Sequence, residues 1–358
     1  MVTQEQVLAA LRQVMDPDLH RDIVTLGFVK DLRIQEGEVS FAVVLTTPAC
    51  PVKDRLKEQA EQVVGALPGV ERVHVEMNSD VRSTSPPQGL NLIPGVRNIV
   101  PVGSGKGGVG KSTVSANLAV ALAQTGARVG LMDADIYGPS IPIILGITEL
   151  PKPGGRGILP VEAYGVKVIS SGFFMKPGQA VIWRGPMLAK LIDQFLGQVE
   201  WGELDYLIVD LPPGTGDVQL TLCQRIPLTG AVIVSTPQDV ALQVAEKALD
   251  MFRQLRCPIL GLVENMSYFV CRHCGQRENI FDTGGAERAA ARWNVPLLGK
   301  IPLATGIREA SDGGRPVLLD EPDSPGATAF LEIAKNLAAQ ISIQNMKEVA
   351  EPAVRITF

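Results

Sequence analysis

The sequence predicts two α/β units in one chain. A small one spans residues 1–81, and a larger one spans 96–343 with a mostly parallel sheet flanked by helices. Three observations carry that prediction. A glycine-rich stretch, Gly103 to Thr113, stands between an apolar run at 98–102 and a helix-forming run at 114–123. Short apolar runs recur after it, separated by longer helical patterns, which suits strands buried on both faces of a parallel sheet. The stretch 82–95, RSTSPPQGLNLIPG, is rich in Ser, Pro and Gly and reads as a linker.

Composition narrows the classes of function. A length of 358 residues allows more than one core. Net charge is −5 and the isoelectric point is near 5.4. That argues against a nucleic-acid partner, which needs a basic footprint. No apolar run approaches the roughly 20 residues of a membrane span, so no membrane partner is expected. The first residues show no basic region followed by an apolar core, and the five cysteines form no disulfide framework. The chain is therefore expected in the cytoplasm.

In the first unit, Thr3 and Gln6 form a capping-box pattern opening a helix to about Met15, where Asp16-Pro17 stops it. Residues 28–34 and 38–45 read as a hairpin around Gly37, with Val39, Phe41, Val43 and Leu45 on one face. A helix over about 51–66 and a strand over 69–77 complete a small sheet. Cys50 lies in the sequence T-x-P-x-C-P, between a strand and a helix N-terminus. The dipole there favours a thiolate, and a half-buried packing role is the alternative.

In the second unit, strands are expected at 127–132, 205–210, 230–235, 259–263 and 296–300, and helices at about 238–255 and 285–293. A last helix runs from Pro325 to about Ile343, and the tail 344–358 lacks a strong pattern and is expected to be mobile.

The glycine stretch meets G-x-x-x-x-G-K-[ST] in full from Gly105 to Ser112, in strand–loop–helix context, and so predicts a P-loop NTPase. Backbone N–H groups of Gly105, Lys106, Gly107, Gly108, Val109, Gly110 and Lys111, with Ser112 and Thr113, would cradle the phosphates of ATP at a helix N-terminus. Lys111 reaches the β- and γ-phosphates and Ser112 ligates Mg²⁺. Lys106 is a second lysine that an ordinary P-loop does not need. The stretch KGGVGKST resembles the deviant Walker A branch, which implies an ATP-sandwich homodimer with Lys106 acting on the partner subunit's nucleotide.

Carboxylates follow at strand ends. Asp133 and Asp135 share a strand face by period two and face the nucleotide crevice. Asp210 ends an apolar strand beside Mg²⁺, and Gly214 and Gly216 loosen the following switch loop. Asp217 reads as the N-cap of the next helix. Asn265 ends another strand, where its amide suits the edge of adenine.

Cys271 and Cys274 form the chain's single CxxC. Such a pair serves redox chemistry, half a zinc site or half a cluster site. Four thiolates need two chains, and two hairpins meeting on a twofold axis would close a Cys₄ site for a 4Fe–4S cluster or Zn²⁺. His273 is expected to be exposed, and Cys223 and Cys257 to be packing residues.

Taken together, KGGVGKST, DADIYGPSIP, VIWRGPM, DYLIVDLPPGTGDVQL, STPQDVAL, ENMSYF and the CxxC hairpin resemble the Mrp/ApbC family of ATP-dependent iron–sulfur cluster carriers. The first unit resembles the small domain of iron–sulfur assembly factors. The resemblance implies a slow ATPase, water activation by Asp135, Asp133 nearer the metal shell, and adenine contact by Asn265. It implies a 4Fe–4S cluster on Cys271 and Cys274 of a homodimer, passed to apo iron–sulfur proteins, with assembly scaffold proteins as further partners. Arg272 stands where many members have proline. A ParA- or MinD-like positioning ATPase and a dimer with a structural zinc are the rival readings.

Overall fold

The computed structural model describes residues 2–81, 93–175, 185–271, 273–281 and 284–350. Residues 82–92 of the expected linker, 181–184 of VIWRGPM, Arg272, and the tail beyond residue 350 lie outside the described residues, as do the side chains of Asp217 and Cys223. Contacts divide the chain into two compact units, Met1–Arg82 with Ser342–Phe358, and Ser83–Ile341.

The first unit opens with α1 (Gln4–Leu11), capped as the sequence indicated. Thr3 Oγ1 accepts from the Gln6 N–H at 3.3 Å, and Gln6 Oε1 accepts from the Thr3 N–H at 2.9 Å. The helix stops at Leu11, short of the expected Met15, because Met15–Asp16 is taken into a two-residue antiparallel ladder with Arg21–Asp22. The buried Asp16 carboxylate then accepts the N–H groups of Asp18 and Leu19, closing the turn around Pro17. β1 (Val29–Gln35) and β2 (Glu38–Leu45) form the hairpin, turned by Glu36 and Gly37 in the left-handed region. Val39, Phe41, Val43 and Leu45 are all buried, against Leu56, Ala60 and Val64 of α2 (Lys53–Gly65). β3 (Arg72–Ser79) then lies parallel to β2, reached by the α2 crossover.

Cys50 sits half-buried beside this core, three residues before α2 begins. Burial pushes its thiol up to about 11, with the Asp16 and Asp18 charges adding to the rise. The thiolate that the helix position suggested is therefore disfavoured: removal of water outweighs one helix terminus. The last helix runs Pro325–Ala350, beyond the expected end near Ile343. Its residues from Ser342 onward group with this unit, where Thr46 Oγ1 donates to Ser342 Oγ at 2.9 Å and Met346 packs against the core.

In the second unit, β4 (Ile99–Ser104) is followed by α3 (Lys111–Gln124), β5 (Val129–Asp133), β6 (Val161–Ala163), β7 (Val166–Ser170), α4 (Gly185–Gly197), β8 (Tyr206–Asp210), α5 (Asp217–Arg225), β9 (Ala231–Ser235), α6 (Asp239–Gln254) and β10 (Ile259–Glu264). A two-residue hairpin pair, β11 (Phe269–Val270) and β12 (Arg277–Glu278), precedes α7 (Gly285–Trp293), β13 (Leu297–Lys300) and α8 (Thr305–Asp312). The main sheet has the order β6-β7-β5-β8-β4-β9-β10-β13, parallel throughout except for β6 against β7.

Every residue of β4, β5, β8 and β9 is buried, which is why these strands read as unbroken apolar runs without alternation. α3 is buried almost all round from Val114 to Leu122, so its small and branched apolar residues show no polar face. Strand β7 carried no strong signal in the sequence; it is recruited by pairing with β5 from Val166↔Val129 to Ser170↔Asp133. No helix among the described residues is long and apolar enough to cross a membrane.

Candidate functional site

The C-terminal ends of β4, β5 and β8 converge on one cavity of about 360 Å³. It is lined by the loop Lys106–Thr113 together with Ser104, Asp135, Ser140, Pro213 and, from α8, Ser311 and Asp312. Gly110 is the N-cap of α3 and adopts φ +80, in the left-handed region that costs glycine nothing. Gly105 is required for a different reason. A Cβ there would lie 2.5 Å from the Val244 carbonyl oxygen and closer still to the Val244 carbonyl carbon, in the backbone of α6. The loop can thus lie flat on α6 and aim its N–H groups into the cavity at a helix N-terminus, where anions bind.

Lys111 is buried at 6 % exposure, with its ammonium 2.8 Å from Asp210 Oδ2 and 3.6 Å from Asp135 Oδ2. Ser112 Oγ donates to Asp210 Oδ2 and Ser115 Oγ to Asp210 Oδ1, both at 2.6 Å. Ser115 was missed in the sequence, although its place three residues after Ser112 puts both hydroxyls on one face of α3. Gln219 was missed as well. Its buried amide donates to the carbonyls of Pro212 and Gly214 at 2.7 and 3.1 Å, which fixes the switch loop.

Asp133 and Asp135 are separated by the structure. Strand β5 ends at Asp133, so the period-two argument that put them on one face does not apply. Asp133 is fully buried, opposite Asp210 in the parallel ladder, and accepts from Ser170 Oγ (2.8 Å), the Asp135 N–H (3.1 Å) and the Ile141 N–H (3.3 Å). Burial, and then the Asp210 carboxylate, push its carboxyl up to about 8. It holds the loop 134–141 and is not among the residues lining the cavity, in contrast to the expected metal-shell position. Asp135 does line the cavity, and burial raises its carboxyl against the pull of Lys111.

Asn265 is also committed differently from the expectation. Its Nδ2 donates to the Val109 carbonyl at 2.8 Å and its Oδ1 accepts from the Met266 N–H at 2.9 Å. It clamps the P-loop from outside and is absent from the cavity lining. Lys106 is exposed at the cavity mouth, with its carbonyl accepting from Ser104 Oγ.

The CxxC forms a surface hairpin beyond β10. The Cys271 N–H donates to the Gln276 carbonyl at 3.0 Å and the Gly275 N–H to the Cys271 carbonyl at 2.9 Å, between the paired strands β11 and β12. The N–H groups of Cys274 and His273, and then the Cys274 side chain, hold the Cys271 thiol below its ordinary value. Cys274 and His273 are exposed, and the Arg277 guanidinium stacks 3.5 Å over the Tyr268 ring at the base of the hairpin. Among the described residues no three His, Cys, Asp or Glu side chains gather to hold a metal. Cys257 is buried, as a packing residue should be.

Known proteins share both units. Residues 95–338 match the family model described as NUBPL iron-transfer P-loop NTPase, and residues 4–76 match that of an iron–sulfur cluster assembly protein. A Synechocystis protein named iron–sulfur cluster carrier protein is 49 % identical over 349 residues, covering 96 % of this chain and 99 % of its own. A nucleotide-binding protein from Archaeoglobus fulgidus in complex with ADP superposes with TM-score 0.57 at 43 % identity, over 64 % of this chain and 90 % of that one. The cell division ATPase MinD of Pyrococcus furiosus superposes at 0.51 with 26 % identity, over 67 % of this chain and 97 % of that one. A complete phosphate-binding loop, a carboxylate-ended parallel sheet and a match over most of the second unit lead to one statement: the chain belongs to the iron-transfer P-loop NTPase family.

Proposed function

We propose that this protein is an ATP-dependent carrier that holds a 4Fe–4S cluster as cargo on Cys271 and Cys274 of two copies of the chain and passes it to apo iron–sulfur proteins. The observation that carries the reading is the exposed Cys271–Cys274 hairpin, with its thiolate-favouring N–H groups and no third ligand gathered beside it among the described residues. Two thiolates on a surface turn make half a tetrahedral sulfur site, and a second copy is the simplest source of the other half.

The residues at the nucleotide cavity suit ATP hydrolysis. N–H groups of the P-loop would bind the phosphates, and Lys111, now resting on Asp210, would turn its charge to them. Ser112 Oγ lines the cavity and would hold Mg²⁺, while the Asp210 carboxylate, buried behind it and outside the lining, would act on the ion through Ser112 and water; the set is all oxygen, as Mg²⁺ requires. When bound there, Mg²⁺ supplies positive charge to the β- and γ-phosphate oxygens. Asp135, raised by burial and facing the cavity, would orient the attacking water and take up its proton, a role that a carboxyl held above its ordinary value suits. Lys106, exposed at the mouth, would reach the nucleotide of a second copy.

Anaerobic loading of the purified protein with iron and sulfide tests the reading. The expected product is a brown dimer with four irons per two chains, formed by wild type and lost in Cys271→Ser. Iron-free protein that instead takes one zinc per dimer, or loading that survives Cys271→Ser, would sink it. For Lys106, nucleotide-dependent dimerisation should disappear in Lys106→Ala.

A further inference from the structure

The segment between Glu264 and Cys271 joins the nucleotide loop to the cysteine hairpin in six residues, and the functional reading above leaves it without a task. At one end Asn265 Nδ2 donates to the Val109 carbonyl of the P-loop. A Cβ on Gly110 would strike that same Nδ2 and would lie 3.9 Å from Met266 Cε, so both side chains rest on the loop at Val109–Gly110. Met266 adopts φ +56, the left-handed region, without being glycine. That conformation costs about 1 kcal/mol or more and is held here by the Asn265 Oδ1 bond to the Met266 N–H.

Everything around this one strained residue is pinned. The Asn265 N–H donates to the Ser235 carbonyl at 2.8 Å, the Ile301 N–H to the Glu264 carbonyl at 2.8 Å, and the Ser267 N–H to the Ile301 carbonyl at 2.9 Å. The buried Glu264 carboxylate accepts from Ser267 Oγ at 2.5 Å and from the Ala286 N–H at 2.9 Å. The Leu303 N–H donates to the Tyr268 carbonyl at 2.7 Å, and Arg277 stacks on the Tyr268 ring. Movement of the P-loop at Val109 therefore reaches the chain at Asn265, and Met266 is the point in this segment where the backbone stores strain. Past it, the segment leads straight into Phe269, Val270 and Cys271.

We propose that the Asn265–Met266 turn is the relay by which the state of the P-loop sets the geometry of the Cys271–Cys274 hairpin, with Asn265 as a positioning residue acting through the Val109 carbonyl. The proposal rests on the carrier reading for its purpose, and its test is independent of cluster loading. A closed P-loop keeps the amide bond and the strained turn; a P-loop rearranged around phosphate draws on Asn265, and Met266 yields. The two sites then share one element whose equilibrium both bias, which is the physical requirement for coupling.

The test is alkylation of the full-length, iron-free protein by iodoacetamide. It is read peptide by peptide by mass spectrometry, without nucleotide and with saturating ATP and Mg²⁺. Saturation is set separately for each variant from its own titration, and Cys50 serves as internal reference. Wild type should change its Cys271 and Cys274 rates by at least about fivefold on nucleotide, the low end of ordinary coupling between sites. Asn265→Ala, which removes the amide bond, and Met266→Gly, which removes the strain while tolerating the same φ, should each hold that change below about twofold. If Asn265→Ala fails to bind nucleotide or to fold, Met266→Gly decides alone. No change in wild type, or a full change in a saturated variant, overturns the relay. Wild-type protein that shows no nucleotide response yet still loads cluster would refute the relay and leave the carrier reading intact. The converse result would refute the carrier reading alone.

Discussion

Replacing Gly105 by alanine tests the packing of the P-loop against α6. The added methyl would begin 2.5 Å from the Val244 carbonyl oxygen and stay near the Ala245 nitrogen. Both are helix backbone, unable to rotate aside, so the loop must withdraw by about 1 Å to reach ordinary contact. Overpacking of this kind costs about 1–3 kcal/mol of stability. In a unit of this size that lowers Tm by roughly 2–4 °C per kcal/mol. The loss in function should be larger. Misplacing the cradle by about 1 Å weakens N–H bonds to a charged phosphate that are worth about 1.5–3 kcal/mol each, so nucleotide affinity should fall by at least about tenfold. Gly107→Ala is the comparison, because its Cβ would meet only Pro213 Cγ at 3.9 Å. Isothermal titration with ADP and a thermal melt of both variants would check this. If Gly105→Ala binds and melts as Gly107→Ala does, the claim that α6 sets the loop's position is wrong.

Three further predictions follow from the same geometry. Asp210→Asn should leave one acceptor oxygen where Ser112 and Ser115 now bond two, and remove the charge beside Lys111, lowering Mg²⁺-dependent ATP hydrolysis by about 100-fold or more in a phosphate-release assay; a fall within about threefold would refute its role. The thiols should separate by pH. With its thiol near 11, Cys50 is about one part in a thousand thiolate at pH 8, so its alkylation should climb about tenfold per pH unit to pH 10. Cys271, held below its ordinary value by the N–H groups of Cys274 and His273, should level off earlier, and equal profiles would contradict the burial argument. Because the folded value of Cys50 is raised, its stabilising contribution is complete below the unfolded value and fades as pH rises toward 11. Asp205 behaves in the opposite sense. Burial pulls its carboxyl upward, but bonds from Arg128 at 2.8, 2.9 and 3.2 Å hold it below its ordinary value. Its stabilisation is present above pH 4 or so and is lost as pH falls through the lowered value. Asp205→Asn should cost about 1–3 kcal/mol in urea unfolding at pH 7 and flatten the acid limb; an unchanged acid limb would refute the assignment.

Much of this protein was legible as one-dimensional pattern. The P-loop, the strand Tyr206–Asp210, the helix Gly285–Trp293 and the hairpin strand Glu38–Leu45 were readable because each depends on local rules: glycine spacing, an unbroken apolar run, helical spacing of buried residues, or every second residue buried on one strand face. The CxxC and the family resemblance needed only residue identity and order. Features set by neighbours distant in the chain were not legible. Asp133 looked like a cavity carboxylate until its pairing across the sheet with Asp210 and its bond from Ser170 showed it sealed inside. Cys50 sat before a helix, as a reactive thiol would, yet the core behind it removes the water a thiolate needs. Asn265 had the chemistry to read a base, and in the fold it donates to the Val109 carbonyl, a contact 156 residues away in sequence. Which residues are candidates for phosphate and sulfur chemistry was thus legible in the sequence itself, because such candidates are recognised by residue type and short spacing. Which carboxylate faces water, which thiol ionises and which side chain touches the P-loop was decided by the tertiary structure alone, since desolvation and long-range hydrogen bonding exist only once distant segments are packed together.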